Sequence, residues 1–110
     1  MDHLNAPTLS KDTTLTGLQT YVKEISVIRG QDKNDIQTNF LILNEKVGQL
    51  ARALRIYNEV KMATNAALVD VQSEVADVCL ALTSLSNELK INMATAVRIK
   101  EDANKRRLWF

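Results

Sequence analysis

Apolar residues recur along most of the chain at steps of three and four, the spacing that aligns side chains on one face of an α-helix. Leu15, Leu18, Val22, Ile25 and Ile28, with Tyr21 beside them, form the first run. Asp12 or Thr13 can cap its start and Gly30 can close its end, so the pattern predicts a helix over about residues 14–29. After a polar connection at residues 30–34, Ile36, Phe40, Leu43, Val47, Leu50, Leu54 and Tyr57 keep the same steps and predict one long helix with a heptad seam. Asn58 to Ala67 is less ordered and reads as a connection or a frayed helical turn. The seam resumes through Leu68, Val71, Val75, Val78, Leu82, Leu85 and Leu89, and Asn92 is placed to cap a final helix through about Arg107. No segment alternates with the period of a strand. The expected fold class is all-α, a four-helix antiparallel bundle.

Residues 1–13 mix Pro7 with polar residues and show no period, which predicts a flexible tail ahead of one helical domain at 14–110. Leu41, Ile42, Ala51, Ala76, Cys79 and Ala81 widen the two central stripes beyond what one neighbouring helix can cover. Small chains also bury a low fraction of their surface. Completion by a homo-oligomer is therefore expected, the alternative being a monomer whose outer helices cover the excess.

Charge and composition then narrow the functions. The chain has 14 Lys and Arg against 13 Asp and Glu, interleaved, with a formal net charge of +1. That balance gives no basic surplus for the phosphates of a nucleic acid polymer. Asp70, Glu74 and Asp77 interrupt the most apolar region, so no membrane helix is expected. The single Cys79 makes no intramolecular disulfide, and the first residues lack the pattern of a signal peptide, so a cytoplasmic protein is expected. His3 stands alone, which removes a Ser/His/Asp or Cys/His nucleophile, and Cys79 reads as a small buried hydrophobe. Gly17, Gly30 and Gly48 are too scattered for a phosphate-cradling loop. Gly48 in mid-helix costs about 1 kcal/mol against Ala, which suggests close helix approach or clearance for a substrate. No catalytic residue can be named.

The chemistry centres on Glu74 and Asp77, three residues apart on one helix face and each one position before a seam residue. Carboxylates bordering a buried interface call for a cation. The equivalent positions on the second helix are Lys46 and Gln49, so antiparallel packing with these levels together sets Lys46 against Glu74 and Asp77. On spacing alone, a rim salt bridge on a solvated face is the simpler reading.

Three strings carry a family resemblance: GluLysValGlyGlnLeuAlaArgAlaLeu at 45–54, GluValAlaAspVal at 74–78 and LysGluAspAlaAsnLysArgArg at 100–107. Together, in this order, they resemble the MazG family of nucleotide pyrophosphohydrolases, from the first helix through the last. The resemblance implies an all-α fold that dimerises or tetramerises through its bundle. It also implies hydrolysis of nucleoside triphosphates to monophosphate and pyrophosphate with Mg²⁺. In that family an ExxE pair faces an ExxD pair, and the four carboxylates hold hard cations through oxygen.

Here the second pair, Glu74 and Asp77, matches, while the first pair's positions read Lys46 and Gln49. A protonated Lys has no lone pair and repels a divalent ion at a few ångströms by several kcal/mol. The resemblance therefore implies a site whose Mg²⁺ affinity is weakened or lost, with the ammonium in the metal's place. The other reading recruits Glu45, about 100° around the helix from Lys46, to join Glu74, Asp77 and the Gln49 carbonyl around one ion. On the last helix, Lys100, Asn104 and Arg107 fall at i, i+4 and i+7 and resemble the family's nucleotide-binding positions. Basic residues near a helix end also serve the macrodipole. Leu108, Trp109 and Phe110 are expected to cover a bundle end or a partner subunit. Two functions stay open: a MazG-like enzyme with an impaired Mg²⁺ site, or a non-catalytic nucleotide-binding or helical assembly module on the same fold.

Overall fold

The computed structural model describes residues 6–59 and 65–107. They form α1 (Leu15–Ile28), α2 (Ile36–Glu59), α3 (Asn65–Glu88) and α4 (Met93–Lys105), with no strand among the described residues. The chain is all-α with helices close to the expected positions. His3, the centre of the Asn58–Ala67 connection and the terminal Leu108, Trp109 and Phe110 lie outside the described residues.

Local chemistry sets the helix ends. The first cap is Thr14, whose hydroxyl accepts the Gly17 N–H at 3.0 Å, and not Asp12 or Thr13. Thr13 is already engaged, its hydroxyl accepting the Ser10 N–H at 2.9 Å within a turn, which leaves the next residue to cap. Gly30 closes α1 as expected. Its φ of 70° lets its N–H reach the Val27 carbonyl and the Gln31 N–H reach the Ser26 carbonyl. Asp35 accepts the Thr38 N–H at 2.8 Å at the start of α2. That bond, with one from the Thr38 hydroxyl, holds the Asp35 carboxyl below its ordinary range. Asn92 caps α4 by accepting the Thr95 N–H at 2.8 Å.

The end of α3 repeats the left-handed stop without glycine. Lys90 has φ 58°, its N–H reaches the Asn87 carbonyl, and the Ile91 N–H reaches the Ser86 carbonyl. A Cβ in this conformation is crowded by its own backbone at a cost of about 1 kcal/mol or more. Lys90→Gly is expected to stabilise the chain by about 1 kcal/mol and to raise the thermal midpoint by several degrees in a calorimetric melt.

Packing centres on an antiparallel α2–α3 pair, with α1 laid on α3 and α4 on α1. Gln19 fixes that arrangement. Its Nε2 donates to Asn87 Oδ1 at 3.0 Å and to the Ile91 carbonyl at 2.7 Å, and its Oε1 accepts the Met93 N–H at 2.9 Å. Asn87 Nδ2 returns a bond to the Gln19 carbonyl at 3.0 Å. One glutamine thus ties α1 to the end of α3 and the start of α4.

The core is small. Among the described residues the buried apolar side chains are Val22, Ala67 and Ala81, and Asn39, Thr83 and Ser86 are buried polar ones. Seam residues of both long helices stay out of the core. Phe40, Val47 and Leu54 on α2 are 52%, 47% and 46% exposed, and Leu68, Val75 and Leu82 on α3 are 50%, 51% and 41% exposed. The side chains turned inward are those one position earlier, Asn39, Lys46 and Ala53 on α2 and Ala67, Glu74 and Ala81 on α3. An identical offset of about 100° on two antiparallel helices swings both apolar rows to the same side of the pair. Neither α1 nor α4 covers those rows. Of the two explanations for Gly48, close helix approach fails: a Cβ there would meet nothing within 4 Å, so no helix among the described residues approaches it closely.

Candidate functional site

The antiparallel pairing brings Lys46 of α2 level with Asp77 of α3, with Nζ 3.7 Å from Oδ2. This is the register that the seam spacing suggested. Glu74 lies one turn before Asp77 and beside Gln49, in a small cleft of about 300 Å³ that Arg52 and Asp70 also line. No Lys46–Glu74 ion pair forms, so the ammonium serves one carboxylate where the sequence suggested two. Glu74 Oε2 is left buried with no hydrogen-bond partner among the described residues.

Glu45 points elsewhere. It is exposed, and its Oε1 accepts a long bond from Gln49 Nε2 at 3.5 Å on the same helix. Among the described residues no group of three or more His, Cys, Asp or Glu side chains comes together in a way that could hold a metal ion. Mg²⁺ demands near-octahedral oxygen ligation, and here the ammonium of Lys46 stands against one of the two remaining carboxylates. The donor set does not fit the ion.

The basic positions of α4 are less concentrated than their spacing suggested. Lys100 is exposed and Asn104 is half-buried, its Nδ2 3.5 Å from Glu101 Oε2. The helix ends at Lys105, so Arg107 leaves the shared face, its N–H reaching the Asn104 carbonyl. None of the three lines the larger cavity that contains Lys46 and Asp77. That cavity, about 970 Å³, opens between α1, α2, α3 and the α3–α4 turn. Its wall includes Asn39 and Gln19, neither of which hydrophobic patterning marked. Asn39 stands one position before a seam residue, as do Lys46 and Glu74, and that shared offset is the signal that could have found it.

Neither a protein-family model nor a curated protein sequence matches this chain. No helix among the described residues is long and apolar enough to cross a membrane.

Proposed function

We propose that this chain is a MazG-like nucleoside triphosphate pyrophosphohydrolase whose Mg²⁺ site is weakened or lost. The observation that carries the reading is the 3.7 Å approach of Lys46 Nζ to Asp77 Oδ2, at the level where the resemblance calls for two facing carboxylate pairs. The ammonium neutralises part of the acidic pair beside the packed faces of α2 and α3. The same contact favours a second reading, a non-catalytic nucleotide-binding or assembly module, because a side-chain cation already stands beside Asp77 where the resemblance would place the ion. Lys100, Asn104 and Arg107 are the nucleotide-binding residues of either reading, in a cytoplasmic setting.

The test is calorimetric titration of Mg²⁺ into the wild type and into Lys46→Glu, Gln49→Glu, with pyrophosphate release followed on a panel of triphosphates. Wild-type binding is expected to be millimolar or absent, and the double variant is expected to bind at least 10-fold tighter. Tight wild-type binding with turnover defeats the impaired-site reading. Weak wild-type binding with slow pyrophosphate release supports the enzyme, and no release with or without the repaired carboxylates supports the module.

The reading includes a second copy of the chain, a homodimer or the dimer unit of a homotetramer. The accessible surface is 8467 Å². A compact monomer of 12.3 kDa exposes about 6,100 Å². The radius of gyration is 16.7 Å against about 13 Å for a compact domain of this length. The excess surface is of the size that an obligate dimer interface removes. The two apolar rows on one side of the α2–α3 pair offer a self-complementary face, and two such faces stacked make a four-helix bundle.

A further inference from the structure

Charge is unevenly shared along the chain. Residues 90–107 carry six basic side chains, Lys90, Arg98, Lys100, Lys105, Arg106 and Arg107, against two acidic ones, Glu101 and Asp102. Residues 1–89 carry eight basic against eleven acidic, so the near-neutral total hides a surplus of +4 around α4 and a deficit of −3 elsewhere. All six basic side chains are exposed, and none forms an ion pair with a described residue. The helix macrodipole accounts for Lys105 in the last turn of α4, yet Arg98 and Lys100 stand in mid-helix, beyond its reach. α4 also contributes no buried residue to the fold. Val97 and Ile99, on either side of Arg98 in the sequence, are 58% and 59% exposed.

Basic groups interleaved with open aliphatic side chains are the composition of a helix that lies in a bilayer interface. There the apolar groups enter the acyl boundary, and ammonium and guanidinium groups meet anionic headgroups. A nucleic acid polymer uses the charges but leaves Val97 and Ile99 in water. The larger apolar rows on α2 and α3 belong to the acidic part of the chain, which an anionic leaflet repels. We infer that α4, with Arg106 and Arg107 after it, is a docking surface for an anionic lipid bilayer. Such a contact is peripheral and needs no spanning helix. It involves neither a nucleotide nor a metal ion, so it is independent of the function proposed above.

The test mixes the full chain with vesicles of phosphatidylcholine, alone or with phosphatidylglycerol added, and reads both co-sedimentation and tryptophan emission. Trp109 is the one tryptophan of the chain, two residues after Arg107, so its emission reports on this segment. The chain is expected to sediment with the anionic vesicles only, with its emission moved to shorter wavelength, and added salt is expected to release it. Each basic residue close to an anionic leaflet is worth about fivefold in affinity. The triple variant Lys105→Ala, Arg106→Ala, Arg107→Ala, which changes exposed side chains only, is therefore expected to bind about 100-fold more weakly. Ile99→Ser is expected to weaken vesicle binding several-fold with little change in the thermal midpoint, since Ile99 is largely open in the chain itself. No sedimentation with anionic vesicles, or equal sedimentation with neutral ones, overturns the proposal on the wild type alone. Vesicle binding that DNA displaces and that Ile99→Ser leaves untouched assigns the surface to a nucleic acid and equally overturns it.

Discussion

On the proposed self-association, Val75→Glu is expected to give a monomer, raising the dissociation constant at least 100-fold in sedimentation equilibrium. Val75 sits mid-way along the exposed row on α3, flanked one heptad away on either side by Leu68 and Leu82. In a two-fold assembly each copy brings the same new carboxylate to the same interface, and an unpaired charge leaving water there costs several kcal/mol. A factor of 100 corresponds to about 2.7 kcal/mol, well within that cost. In the isolated chain the same substitution is mild, because Val75 is 51% exposed and Glu is the better helix former. The contrast separates the two cases. If Val75→Glu leaves both mass and stability unchanged, this face meets no second copy.

Asn87→Ala is expected to loosen α1 and the start of α4 while the α2–α3 pair persists. The substitution removes the acceptor of Gln19 Nε2 and the donor to the Gln19 carbonyl, both at 3.0 Å and half-buried. Gln19 Nε2 keeps the Ile91 carbonyl at 2.7 Å, so the expected cost is that of two lost hydrogen bonds, about 1–3 kcal/mol together. Hydrogen exchange resolved by residue gives the clean measurement, because protection falls in residues 15–28 and 93–105 and holds in the long helices. Equal loss of protection in α2 and α3 refutes the view that this amide pair is a local clamp.

Helix period made α1 to α4 legible in the sequence, and the left-handed stop at Gly30 was legible because glycine alone adopts it freely. The stop at Lys90 was not, since a lysine gives no composition signal and the turn is imposed by the bonds from residues 90 and 91 back into α3. The Lys46–Asp77 level was only conditional in the sequence, since the seam permits it if the two helices pack antiparallel at these levels, and the 3.7 Å contact meets that condition. Which side of the seam would face inward did not follow. A heptad row states which residues share a face, and with one partner helix in place the α2–α3 pair turns its inward edge one residue earlier, leaving part of each row open. That rotation leaves Glu74 Oε2 unpartnered and sends Glu45 away, two details that residue spacing along one helix cannot resolve. Asn39 and Gln19 were missed for the opposite reason: a lone amide has no period, and its part is visible only when three helices surround it.

The bonds made by Gln19 span 68 to 74 residues of chain. During synthesis α1 emerges first, yet its partners in α3 and at Met93 follow several seconds later at ordinary elongation rates of about 5–20 residues per second. Over that interval Tyr21, Val22 and Ile25 have no surface to rest on, while the α2–α3 hairpin, made of near neighbours, can already close. The first helix to be made thus waits for α3 before it docks, and the length of its exposure is set by how quickly the residues up to 93 clear the ribosome.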